Sequence, residues 1–159
     1  MKNSHKKLKQ THHIKHQGRL QYGLFLKGIG LTLEGALQFW RDEFTKKMPD
    51  SDFDKDYLYG FRHQFGQEGK KTNYSPYGCT KIITGSIPSG EGNFHGCPFK
   101  HFDEKTLKME LKSTSTIDIE ESDINDILYL TSQNHYQVCE SFLFNNIFFI
   151  SSLVENILI

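Results

Sequence analysis

At 159 residues the chain has room for about one domain with one substantial core, and too little for two independent ones. Its formal charge is zero, which hides a strong polarity: Met1 to Gly30 carries seven Lys and Arg residues, four His and no acid, whereas residues 103 to 126 hold eight acids against three Lys. Three widely spaced cysteines and no apolar N-terminal stretch argue against a disulfide framework and a secretory leader, and predict a reducing compartment, cytosol or nucleus.

Residues 2 to 16 contain good helix formers with only Leu8 and Ile14 as firm apolar positions, predicting a mostly solvated helix that breaks at Gln17-Gly18. An apolar run over Leu20, Leu24, Leu26 and Ile29 follows. Thr32 is the expected N-cap of a helix that buries Leu33, Ala36, Leu37, Trp40 and Phe44 on one face. From Phe53 to Phe65 the alternation of Tyr57, Tyr59 and Phe61 predicts a small β-hairpin or extended segment. Pro76 is expected to open a short helix carrying Cys79, Ile82 and Ile83, and residues 84 to 93, with Gly85, Pro88, Gly90 and Gly92, to form a loop. Asp103 caps a predicted helix with Leu107 and Leu111 inside, and Ser122 caps another with Ile124, Ile127, Leu128 and Thr131 inward. The apolar stretch from Phe142 to Ile159 is interrupted by Asn, Ser and Glu, so no membrane span is expected. The fold class is therefore mainly α.

Chemistry is concentrated in two settings. The basic N-terminal segment interleaves His13, Lys15, His16, Arg19, Tyr22 and Lys27, with Gly18 offering close backbone approach. Arg19 suits bidentate phosphate binding and Lys27 suits a point charge, while the histidines add donors when protonated and make binding depend on pH. Tyr57 and Tyr59 are the favoured exposed pair for stacking or phosphate contact, sharing one strand face, with Arg62, His63, Lys70 and Lys71 extending the basic surface. The second setting is Gly78-Cys79-Thr80 and His95-Gly96-Cys97-Pro98-Phe99, separated by the Gly and Pro rich loop, with Cys139 further on. Lone cysteines are usually core thiols, but Pro after Cys97 matches loops that hold iron-sulfur clusters. Together the two settings suggest a metal held beside nucleic acid. A structural zinc module using Cys79, Cys97, Cys139 and His95 or His101 is the alternative, and a thiol nucleophile at Cys97 polarised by either histidine is a third reading. The alternating acids Asp50, Asp52, Asp54 and Asp56 lack the Gly and Glu of a calcium loop, and no catalytic constellation stands out.

The blocks from His12 to Leu31, Ala36 to Trp40, Arg62 to Gly66, Gly69 to Thr72, Cys79 to Ile83, His95 to His101 and His135 to Val138 resemble the C-terminal domain of the eukaryotic DNA primase large subunit. The resemblance implies a domain over residues 1 to 138 and a divergent apolar tail over 139 to 159. It also implies a helical fold around a 4Fe-4S cluster and no polymerase active site, since that belongs to the small subunit. The expected role is accessory: binding DNA template, RNA primer and the primer 5′-triphosphate during primer synthesis, in the nucleus, with the primase small subunit and the DNA polymerase alpha complex as partners. Cys79 and Cys97 match two cluster ligands. His13, His16, Arg19, Tyr22 and Lys27 match the basic surface, Lys15 stands where the family often has Arg, and Tyr57 and Tyr59 match the paired tyrosines beside the junction. Gly60 replaces an Asn common in the family.

Two departures carry consequences. The family's first cysteine aligns just ahead of Met1, so this chain is expected to begin past it, and Cys139 falls one residue early for the fourth ligand. An incomplete thiolate set predicts a labile cluster.

Overall fold

The computed structural model describes residues 1–113, 119–139 and 141, and every regular element among them is helical. They divide into two units, one of Met1–Gly78 with Pro88–His95, the other of Cys79–Ile87 with the described residues from Gly96 onward. Of the expected apolar tail, residues 142 to 159 lie outside the described residues.

The first unit holds α1 (Lys2–Thr11), α2 (His16–Gly28), α3 (Leu33–Phe44), α4 (Asp50–Phe53), a π-helical turn (Asp54–Leu58) and α5 (Tyr59–Gln64). The first helix ends earlier than Gln17-Gly18. His12 takes the left-handed conformation at φ 52° and its N–H bonds Leu8 O, while Ile14 is fully buried in the link to α2. Gly18 sits inside α2, buried in ordinary contact with Ile14, so it provides packing room and not an open approach. Thr32 caps α3 as expected, its hydroxyl accepting from Gly35 N at 3.1 Å, and Ala36, Trp40 and Phe44 are buried on one face.

The hairpin expected near residues 53–65 is instead helical from Phe53 to Gln64. Phe53, Tyr57 and Phe61 recur at every fourth position, and burial of Phe53 and Phe61 decides the conformation. Phe61 stacks on Trp40 at 4.9 Å and on Phe53 at 6.0 Å, and Tyr57 meets Phe44 edge-on at 4.9 Å. A four-residue repeat drifts around a regular α-helix, and the wider π turn keeps the three rings on one side. Tyr59 breaks the repeat and is 59% exposed, so the two tyrosines share no strand face. Of the neighbouring acids, Asp50 and Asp54 both bond Arg41.

The second unit contains α6 (Cys79–Thr84), α7 (Pro98–His101), α8 (Glu104–Ser113) and α9 (Glu121–Ser132). Its core joins Cys97, Phe99, Leu107, Leu111, Ile124, Ile127 and Cys139. Asp103 caps α8 as predicted, accepting from Thr106 N at 3.0 Å. Ser122 instead lies within the first turn of α9, which Glu120 precedes without a side-chain cap. Pro76 does not open α6, which begins at Cys79. Within the unit, Lys100 Nζ donates to Ile83 O at 2.7 Å and Gln137 Nε2 to Thr80 Oγ1 at 2.8 Å.

Candidate nucleic-acid interface and thiol cluster

The link before α2, helix α2 itself and the π turn bring three of the expected residues together in the first unit. The Arg19 guanidinium lies over the Tyr57 ring, 4.8 Å from its centroid, and donates to Ile14 O at 2.8 Å. The Tyr57 hydroxyl is hydrogen-bonded to His13 Nε2 at 3.2 Å, and the His13 ring rests on Phe44. Burial, followed by the charges of Arg19, Lys47 and Lys15, pushes His13 below its ordinary value. The imidazole is therefore neutral at neutral pH, and an anion among these cations would favour its protonation. Lys15 and His16 are exposed at the start of α2, and the Lys15 stem runs along Gly92.

Two expected phosphate contacts are placed differently. Tyr22 is fully buried, its hydroxyl bonded to His5 Nδ1 at 2.7 Å and its ring edge-on to Trp40 at 5.8 Å. Burial alone drives its phenol far above the ordinary range, so here it is a core residue. Lys27 directs Nζ at Gln64 O (2.8 Å), Asn73 Oδ1 (2.6 Å) and Tyr74 O (2.7 Å), an internal acceptor for each ammonium proton. Partial desolvation lowers its pKa.

Sequence reasoning missed Glu43. Its carboxylate is 1% exposed and accepts from Lys9 (2.6 Å), His12 (2.9 Å) and Lys46 (3.0 Å), tying α1 to α3. Burial opposes ionisation, but the three hydrogen bonds and the charge of Lys9 prevail and hold the group down at about 2. A run of cations ahead of a helix with an acid on its apolar side is a weak signal for such a cluster. Lys47 was also missed, being identifiable only by its field at His13.

All three cysteines fall in the second unit, and none of them forms a disulfide. Cys79 begins α6 and is half-buried. Cys97 precedes Pro98 at the start of α7 and is 8% exposed. Burial raises its pKa, with peptide N–H donors of Lys100 and Phe99 opposing and Cys139 nearby adding to the rise. A buried thiol held in its neutral form does not suit a nucleophile. Cys139 is fully buried, its Sγ 3.4 Å from His135 O and 3.5 Å from Thr131 Oγ1. The peptide donors at Cys97 fit a metal-bound thiolate, whereas the carbonyl oxygen facing Cys139 fits a protonated thiol. Among the described residues no group of three or more His, Cys, Asp or Glu side chains lies close enough to hold a metal ion. As placed, the sulfurs fit a ligand set in part, and neither His95 nor His101 completes a zinc site with them. No described helix is long and apolar enough to cross a membrane.

The family described as the C-terminal domain of the large subunit of eukaryotic and archaeal DNA primase matches residues 1–148. The chain is 53% identical over 144 residues to a mouse DNA primase large subunit, covering 89% of this chain and 28% of that protein. The human DNA primase large subunit gives the same identity and coverage, and a probable DNA primase large subunit of Arabidopsis thaliana is 47% identical over 148 residues, covering 93% of this chain and 32% of that protein. The chain thus spans less than a third of the length of these relatives.

Proposed function

Since the chain belongs to the family formed by the C-terminal domain of the large subunit of eukaryotic and archaeal DNA primase, we propose that it is a non-catalytic accessory domain of primase that binds the template–primer junction and the primer 5′-triphosphate. The observation that carries this reading is the stack of Arg19 on Tyr57 with His13 bonded to the same phenol, flanked by the charges of Lys15 and Lys47. A guanidinium fixed on a ring and a backbone carbonyl loses little side-chain freedom when it takes a phosphate. The neutral His13 becomes a second cationic donor once a phosphate offsets its neighbours. His16, exposed at the first turn of α2, lies on the same helix as Arg19 and extends the cationic edge. The polymerase active site belongs, on this reading, to the small subunit, and the domain works in the nucleus with that subunit, the DNA polymerase alpha complex, DNA template and RNA primer.

The same reading includes a 4Fe-4S cluster in the second unit, with Cys79, Cys97 and Cys139 as candidate ligands. Its support is that all three sulfurs fall in one unit, that two share its core, and that Cys97 meets peptide N–H donors. When bound, the cluster would link chain segments distant in sequence and so contribute to folding. Anaerobic purification with iron and sulfide analysis tests it: iron in sub-stoichiometric amount is expected, full stoichiometry would show a complete ligand set, and zinc without iron would replace the cluster by the zinc reading.

The junction reading is tested by titrating the protein with an RNA–DNA duplex bearing a 5′-triphosphate across a salt series. Binding should weaken steeply as salt rises, because each neutralised phosphate releases counterions. Equal affinity for triphosphorylated and hydroxyl-ended duplexes at low salt would refute recognition of the triphosphate.

A further inference from the structure

Residues 71 to 78 belong to no helix, and positions 71 to 76 are all exposed. Ser75 stands in this stretch and is the only Ser or Thr of the sequence that precedes a proline. The Pro76 ring crowds the backbone of Ser75 in the helical region and favours an extended conformation there, and the peptide bond between the two is trans. No hydrogen bond engages the Ser75 hydroxyl among the described residues. Both flanks are fastened. Lys27 Nζ donates to Asn73 Oδ1 at 2.6 Å and to Tyr74 O at 2.7 Å, and Pro76 lies so close to Gly28 that a Cβ there would come 2.3 Å from its ring.

A protein kinase takes its acceptor residue in an extended strand laid across its cleft. Ser75 is already in that form and its hydroxyl is accessible. Ser51, set among Asp50, Asp52 and Asp54, has an acidic context that a kinase could also read, but it lies in α4 and Phe53 two positions on is fully buried. Extending that stretch would uncover the core. The charges around Ser75 also favour a new anion: residues 69 to 78 carry Lys70 and Lys71 and no acid, and Glu68 just ahead is engaged by Arg62 at 2.5 Å.

We propose that Ser75 is a phosphorylation site for a proline-directed protein kinase, and that the phosphate it gains pairs with Lys27. In the transfer Ser75 Oγ forms a bond to the γ-phosphorus of ATP, the bond from that phosphorus to the β–γ bridging oxygen breaks, ADP leaves, and the hydroxyl proton passes to the base of the kinase. Pro76 presents no N–H that the kinase must satisfy, so an apolar subsite accepts it. The product carries about −1.5 to −2 charges at neutral pH, one residue from the carbonyl that Lys27 already holds. It competes with the neutral acceptors Gln64 O, Asn73 Oδ1 and Tyr74 O for the ammonium protons, and a charged acceptor is the stronger partner. Resting on the junction reading above, the added negative charge weakens duplex binding by the first unit.

The test incubates the full chain with ATP, magnesium and a mitogen-activated protein kinase and reads the product by intact mass and peptide fragmentation. One phosphate is expected on Ser75, and Ser75→Ala should take up none. Pro76→Ala should be modified about tenfold more slowly or worse, since the subsite loses its ring; Pro76 is exposed, so circular dichroism should show that variant folded. A folded wild-type chain without phosphate at Ser75, or one modified no faster than Pro76→Ala, would overturn the site. Phosphorus NMR then follows the ionisation of the phosphate. Its midpoint should lie lower in the folded chain than in urea, rise in molar salt and rise in Lys27→Met. Equal midpoints in the folded chain and in urea would overturn the pairing, and a low midpoint that Lys27→Met leaves in place would assign it to Lys70 and Lys71 instead. Finally, the phosphorylated chain should bind the triphosphate-ended duplex about tenfold more weakly at low salt. Equal affinity of the two forms would overturn the effect on binding, whereas an unmodified chain that binds no duplex would overturn the junction reading and leave the Ser75 site standing on mass and NMR.

Discussion

The two units treat their polar chemistry in opposite ways. In the first, the candidate residues are organised by other polar and aromatic groups: Arg19 on Tyr57, Tyr57 to His13, Lys27 on three oxygens, Glu43 bonded to Lys9, Lys46 and His12. In the second, Cys97 and Cys139 are set among Phe99, Leu107, Leu111, Ile124 and Ile127, with a few peptide groups near the sulfur atoms. The cationic groups there are thus held by partners within the unit. The sulfurs are not gathered into a site among the described residues. A protein can hold cations apart with buried acids and rings, but bringing thiolates together concentrates negative charge, which a bound metal offsets.

Perturbing the first unit tests how far its interface depends on its core. Trp40→Ala should have the largest effect, about 3–5 kcal/mol of stability by chemical denaturation, because Trp40 is 1% exposed and packs on Tyr22, Phe44 and Phe61. Next is Glu43→Gln, which removes the charge beneath Lys9, His12 and Lys46 and should cost about 1–3 kcal/mol at neutral pH. The sign with pH follows from a folded value of about 2, below the ordinary carboxylate range. The contribution is present in full above about pH 5 and fades as pH falls toward the folded value. Denaturation of wild type and Glu43→Gln at a series of pH values should show the two converging on acidification; a gap that widens would contradict this electrostatic account.

Arg19→Ala should weaken triphosphate-duplex binding by about tenfold and lower the slope of log affinity against log salt by about 1. Binding should also strengthen as pH falls through the histidine range, since His13 is depressed in the free protein and takes up a proton beside phosphate. His13→Gln should flatten that profile, which isothermal titration in buffers of different ionisation enthalpy will reveal. The smallest effect belongs to the second unit. Glu121 bonds Lys108 and Lys112 from an exposed position, and those hydrogen bonds hold it down at about 2. Solvent screens such pairs, so Glu121→Gln should leave the denaturation midpoint nearly unchanged in moderate salt.

The chain order itself reveals α3, α8, the caps at Thr32 and Asp103 and the inward faces of Leu107, Leu111, Ile124 and Ile127. Each depends on neighbours within one or two helical turns. The hairpin expectation failed at Tyr57, Tyr59 and Phe61 because period two and period four share positions over so short a stretch, and burial against Trp40 and Phe44 favours the latter. The internal partners of Tyr22 and Lys27 were illegible for a related reason: a basic segment shows which side chains are cationic or phenolic, not which are already engaged.

Read alone, the amino-acid order establishes a polarised charge distribution, a mainly helical chain, its family blocks and two chemically distinct settings, all properties of composition and near spacing. Tertiary structure decides which residues remain available. Lys27 finds its acceptors 37, 46 and 47 positions away, and Tyr57 meets His13 across 44. Such pairings arise from packing between helices, where burial of Trp40, Phe53 and Phe61 sets the positions and the polar groups bond to whatever then lies within reach.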